Sequence, residues 1–198
     1  PILDKYKEIL GIGKDAYYYN CGMGVFNVKV WKDTCEKEIL RLLRYEQCGF
    51  FIMDQDIINL LYHKQIIKLP LKYNLTGVFV LYNSKDLYRL YGYSTKTMYS
   101  IQEIDEAVEN PAICHYIAYQ AGRPWESDNI HPMTPVFDKY LKETPWSNLE
   151  KKKGNPSFLI KVQRSLYQFL PRPIYILIHK LVLEKTMAKM AKKAERKV

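Results

Sequence analysis

Phe50-Phe51-Ile52-Met53-Asp54-Gln55-Asp56-Ile57-Ile58-Asn59 is the stretch on which the reading of this chain turns. Phe50 to Met53 is an unbroken apolar run, short enough for a buried strand, and it stops at two carboxylates flanking an amide. Ile57, Ile58, Leu60 and Leu61 then continue at helical spacing. Polar side chains at a strand-to-helix junction sit where α/β proteins place ligands. Two carboxylates this close can chelate a hard divalent cation. Equally, Asp54 can cap the helix while Asp56 complements its dipole. The residues by themselves leave both readings open.

Toward the N-terminus, Ile2 to Leu10 has helical spacing and stops at Gly11. Gly11-Ile12-Gly13-Lys14 lacks both a preceding strand and the rest of a phosphate-loop fingerprint. Val25 to Trp31 alternates like a strand, and Asp33 with Glu36 predicts the start of the following helix. Toward the C-terminus, Ile66 to Tyr73 reads as a strand that Pro70 bends or places at an edge, and Thr76 to Tyr82 as another. Ser100 and Glu103 predict a capped helix that ends before Pro111. A brief strand follows at Ala112 to Tyr116, then proline-rich loop with one helix, Pro135 to Lys142. Strands alternating with helices predict an α/β class.

Three further groups of residues carry chemistry. In Tyr19-Asn20-Cys21-Gly22-Met23-Gly24 an amide stands beside glycines that let backbone approach a ligand, or that simply make a bulge. His115-Tyr116, followed by Gly122-Arg123-Pro124-Trp125, joins an imidazole able to ligate metal to a cation able to hold phosphate. His131-Pro132 and Thr144-Pro145-Trp146 shape loops.

In this order, the groups resemble glycosyltransferase family 8 from Tyr17 to Trp146. Asn20-Cys21-Gly22 through Asn27 and Trp31 is similar to that family's N-[SA]-G-V-x-x-x-N-x-x-x-W stretch. Asp54 to Asn59 is similar to D-Q-D-x-x-N, Leu69 to Asn74 to L-P-x-x-[YW]-N, and His115 to Trp125 to H-x-x-G-x-x-K-P-W. The resemblance implies a GT-A fold that binds a UDP-sugar with Mn²⁺ (or Mg²⁺) and transfers a hexose with retention to a saccharide or glycolipid acceptor in cell-surface polysaccharide or lipopolysaccharide synthesis. It implies that Asn20, Cys21, Asp54 and Gln55 line the donor-sugar site and that Gln55 and Asp54 serve catalysis. Gly122 and Arg123 would hold the diphosphate and His115 the metal. The chain departs from the pattern in two places. His115 and Arg123 stand further apart than the family's His and Lys, with Ala118 at the usual glycine, and the family's upstream D-x-D has no counterpart. We therefore expect residues 1–150 to be the C-terminal part of a GT-A domain without its nucleotide-binding half, and the piece alone to be inactive. An accessory subunit and a non-catalytic membrane-binding module are the competing readings.

The 198-residue chain has a net charge of +9, but the excess is local: residues 151–198 hold 13 Lys and Arg against 2 Asp and Glu. That argues against a nucleic-acid-binding surface and for an anionic partner of this segment. Its longest apolar run, Ile174 to Ile178, is far short of the ~20 residues of a membrane span. A basic amphipathic tail on an anionic membrane surface, at the inner face of the cell membrane, is the expectation. The cysteines are scattered, with no zinc-ligand spacing, which suits reduced thiols in a cytosolic compartment.

Overall fold

The computed structural model describes residues 4–44, 53–91, 99–117 and 120–195. They are α/β in class, rich in helix, with one small parallel sheet. The chain divides into two compact units. One draws on Pro1–Leu69, Tyr91–Met98 and Lys180–Val198, the other on Pro70–Leu90 and Tyr99–His179. The boundary expected at 150/151 thus falls inside the second unit.

In the first unit, α1 (Asp4–Ile9) ends in a Schellman motif. The Gly11 N–H bonds the Glu8 carbonyl at 2.9 Å and that of Ile12 the Lys7 carbonyl at 3.1 Å, with Gly11 at φ 76°. Ile12 is thereby delivered into a core with Tyr6 and Leu10, against which Tyr18 and Leu60 pack. The Gly-Ile-Gly-Lys sequence is a helix stop.

Helix α2 (Val28–Arg44) overturns the strand expected at Val25 to Trp31. Asn27 Oδ1 accepts from the N–H groups of Lys29 at 3.1 Å and Val30 at 3.5 Å, so Asn27 caps the helix, ahead of the Asp33 start expected from sequence. Trp31 then stacks on Tyr62 of α3 (Met53–Tyr62), 6.3 Å between centroids. The expected strand at Phe50 to Met53 lies outside the described residues except for Met53, where α3 begins.

Ile66 to Tyr73, which crosses from the first unit into the second, forms no strand: Pro70 precedes a 3₁₀ turn, Leu71–Tyr73. Proline has no N–H for a ladder. Strand β1 is only Leu75–Thr76, pairing in parallel with β2 (Cys114–His115) in the register Leu75 to Cys114 and Thr76 to His115. The rest of the strand expected over Thr76 to Tyr82 is helix α4 (Gly77–Leu81). A buried apolar run of this length fits either conformation by periodicity. After α5 (Ser84–Tyr91), helix α6 (Ile101–Glu109) opens with the expected capping box and ends at Asn110, before Pro111. In that box Ser100 Oγ accepts from the Glu103 N–H at 3.1 Å, while Glu103 Oε2 accepts from the Ser100 N–H at 2.7 Å. Helix α7 is Thr134–Leu141, close to the expected span.

Two helices complete the chain, α8 (Phe158–Phe169) and α9 (Arg172–Glu195). Tyr175 of α9 is 1% exposed and belongs to the core of the second unit with Leu75, Leu87, Leu90 and Ile104. Polarity in α9 separates along the axis, apolar at Ile174 to Leu183 and lysine-rich after Glu184. No described helix is long and apolar enough to cross a membrane.

Candidate functional site

Helix α3 brings Gln55, Asp56 and Asn59 to one side, because Asn59 follows Gln55 by four positions and Asp56 by three, the spacings of the helical repeat. That face binds the segment Tyr18 to Cys21 almost residue by residue. Asp56, 0% exposed, accepts from the Tyr6 hydroxyl at 2.6 Å and from the Tyr18 hydroxyl. Burial, then the bond to Asp56, raises the Tyr18 pKa well above the usual phenol range. Asn59, also 0% exposed, accepts from the Tyr19 N–H at 2.7 Å and donates to the Tyr19 carbonyl at 2.8 Å and the Gln55 carbonyl at 2.8 Å. Gln55 Oε1 accepts from Asn20 Nδ2 at 3.0 Å and from the Cys21 N–H at 3.3 Å.

Asn20, Cys21 and Gln55 are therefore brought together, as the sequence led us to expect. Asp54 is exposed at the start of α3, and its charge is felt at Cys21. The Cys21 thiol is pushed up to about 11 by burial, then by Asp54 and Asp56, so it stays protonated at neutral pH and is a poor nucleophile. Asp56 is a structural anchor for two tyrosines, a role its sequence position did not reveal. Asn59 was legible as part of a motif, and its spacing from Gln55 was the available signal for a shared face.

His115, Gly122 and Arg123 lie in the second unit. His115 stands at the end of β2, and Asn74 Oδ1 lies 2.9 Å from its Nδ1. An amide oxygen only accepts, so Nδ1 carries the proton and Nε2 the lone pair. Burial lowers the His115 pKa, which favours the neutral ring that a metal requires. His115 fits one ligand of a cation, but among the described residues no group of three or more His, Cys, Asp or Glu is arranged to hold one. The described residues do not by themselves make a metal centre.

Gly122 has φ 76°, and the Arg123 guanidinium lies 5.6 Å from the Trp125 ring centroid. The Arg123 N–H donates to Glu126 Oε2 at 3.0 Å, and the Arg123 side chain is exposed. Ala118 and Tyr119, within the same motif, lie outside the described residues. His131 is buried and shapes the entry to α7, its carbonyl accepting from the Thr134 N–H at 3.0 Å.

Residues 6–129 match the sequence model of glycosyl transferase family 8. The chain belongs to that family. Family 8 membership implies a GT-A-like α/β fold, consistent with the α/β character described above. The chain is 24% identical over 157 residues to general stress protein A of Bacillus subtilis (strain 168), covering 78% of this chain and 49% of that protein. It is 25% identical over 142 residues to lipopolysaccharide 1,2-glucosyltransferase of Escherichia coli (strain K12), covering 71% of this chain and 36% of that protein. The chain thus spans about half or less of the length of these curated relatives. No solved structure matches it.

Proposed function

We propose that the chain is the C-terminal part of a retaining glycosyltransferase that moves a hexose from a UDP-sugar to a saccharide or lipid-linked acceptor in cell-surface polysaccharide or lipopolysaccharide synthesis. The observation that carries this reading is the bonding of Asn20 and Cys21 to Gln55, which joins two separate family 8 motifs: Gln55 Oε1 accepts from the Asn20 amide and from the Cys21 backbone N–H. Asn20, Cys21 and Gln55 form the donor-sugar wall. With both lone-pair directions of Gln55 Oε1 committed to that wall, Asp54 supplies the exposed oxygens at this end of α3 that stabilise an oxocarbenium-like centre. Arg123 draws on the leaving diphosphate, with Gly122 allowing close backbone approach. His115 fits one position on Mn²⁺ or Mg²⁺, and the remaining ligands, with the uracil site, come from outside the residues described here.

The test is kinetic and uses the full-length enzyme. Asp54→Asn is expected to lower kcat on the order of a hundredfold while donor KM changes far less, since a group acting at the reacting centre is used mainly in the transition state. Gln55→Ala, which releases Asn20 and Cys21 of the donor wall, is expected to lower kcat as well by misplacing the sugar. Unchanged kcat in both variants would remove this end of α3 from the mechanism. The absence of a metal-ligand cluster among the described residues favours a second reading, an accessory chain without activity of its own. We further propose that residues 151–198 place the protein on an anionic membrane surface at the cytoplasmic face. Phe158 at 77% exposed, Leu159 at 76% and Phe169 at 82%, with the nearby lysines, support that reading.

A further inference from the structure

The loop that carries Gly122 and Arg123 runs from Gln120 to Ile130 and closes on itself through a 2.8 Å bond from the Ile130 N–H to the Ala121 carbonyl. It is also held from beyond residue 150. The Ser127 N–H donates to the Lys152 carbonyl at 3.0 Å, and the Gly154 N–H donates to Asp128 Oδ1 at 2.8 Å. Arg164 of α8 spans the two ends of the loop. Its Nε donates to the Gln120 carbonyl at 2.7 Å, and its Nη1 donates to the Asp128 carbonyl at 2.8 Å and lies 3.3 Å from Asp128 Oδ2. The Arg164 side chain is 12% exposed. The bond from Gly154, then the Arg164 charge among lesser causes, keeps the Asp128 pKa below the usual carboxylate range, so this acceptor stays charged at neutral pH.

Gly122 completes the arrangement. A Cβ there would stand 2.9 Å from Arg164 Nη2 and 3.2 Å from Asn129 Cβ, besides meeting a positive φ. The space a side chain would fill is taken by the guanidinium together with Glu126 Oε2, likewise 2.9 Å from that Cβ. Arg123 follows directly, so its backbone is fixed on one side by this fit and on the other by Glu126.

We propose that Arg164 is a positioning residue for the donor diphosphate, holding the Gly122-Arg123 loop in the shape that aims Arg123. It follows that part of the basic tail serves the donor site and not only a membrane. The inference rests on the proposed diphosphate role of Arg123. A planar guanidinium donates in two directions at once to acceptors on opposite ends of the loop, which an ammonium cannot do from the same place. Charge alone is therefore not enough.

The experiment compares Arg164→Gln, Arg164→Lys and Arg123→Ala in the full-length enzyme, with donor KM, kcat and peptide-level hydrogen exchange over residues 120–130 as readouts. Both Arg164 variants are expected to speed exchange in the loop and to raise donor KM on the order of tenfold with kcat within about twofold, as a misplaced binding group does. Arg123→Ala is expected to raise donor KM without changing loop exchange. Unchanged loop exchange in Arg164→Gln overturns the inference, as does full recovery of donor KM by lysine, which would make Arg164 a source of field and not of shape. Faster exchange with an unchanged donor KM, while Arg123→Ala raises it, also overturns the inference but leaves the Arg123 reading intact. If neither Arg164→Gln nor Arg123→Ala moves donor KM, the diphosphate reading itself falls, and this inference with it.

Discussion

Asn59 reads the backbone of Tyr19 in both directions, donor to acceptor and acceptor to donor, from a site with no exposed surface. Truncating it to alanine leaves a Tyr19 N–H and carbonyl without that partner and opens a small cavity. An unmade bond to a buried polar group is expensive because water cannot replace the partner. Asn59→Ala is expected to lower stability by about 3 kcal/mol, seen as a lower urea midpoint at unchanged slope. A shift within error would mean that Tyr19 is held by something else. The residues around Asn59 show what was legible. That Gln55 and Asn20 belong together followed from motif order, whereas the tyrosine anchoring of Asp56 depended on where Tyr6 and Tyr18 arrive in space.

At the scale of elements, α9 docks on the segment after α4 through a buried polar cluster. Tyr82 Oη lies 2.8 Å from His179 Nδ1 and 3.1 Å from Tyr175 Oη, and Gln120 Nε2 donates to Tyr82 Oη at 2.6 Å. Gln163 faces the other ring nitrogen at 3.3 Å, and Arg172 lies over the Tyr82 and Tyr167 rings. Burial depresses the His179 pKa from 6.5 to about 4. The unfolded ring takes up its proton as pH falls through 6.5, and the folded ring resists until about 4, so the unfolded state binds more protons in that window. Stability is therefore fully present above 6.5 and declines as pH falls toward 4. His179→Gln should flatten this slope above about pH 5, where carboxylates contribute little. Parallel loss of stability in variant and parent would assign the slope to other groups.

At the scale of the whole molecule, two expectations concern partners. The described residues offer a cation one imidazole and a diphosphate one exposed arginine, which leaves most of a metal's coordination to water. Calorimetric titration of the 198-residue chain with UDP and Mn²⁺ is expected to show no tight binding, and micromolar affinity would show the nucleotide site to be complete in it. Sedimentation with vesicles rich in anionic lipid should carry the protein down at low salt, less at high salt, and less in a Phe158→Ser, Leu159→Ser, Phe169→Ser variant. Salt-independent sedimentation of parent and variant alike would rule out the tail as the contact.

The sequence by itself determined whatever depends on neighbours within a turn or two. The stop at Gly11, the capping box at Ser100, the helix after Pro135 and the order of the family motifs all belong to this class. Each is fixed by a local hydrogen bond, a missing N–H or a permitted φ. Only the tertiary structure decided between strand and helix at Thr76 to Tyr82, a largely buried apolar run that fits either by periodicity, whereas at the mostly exposed Val25 to Trp31 the Asn27 cap starts the helix and outweighs the alternation. The tertiary structure alone revealed the roles of Asp56 and Arg164. Their partners lie 38 and 50 residues from Asp56 and 36 and 44 from Arg164, and no local pattern encodes which groups a folded chain will bring within reach of a buried charge.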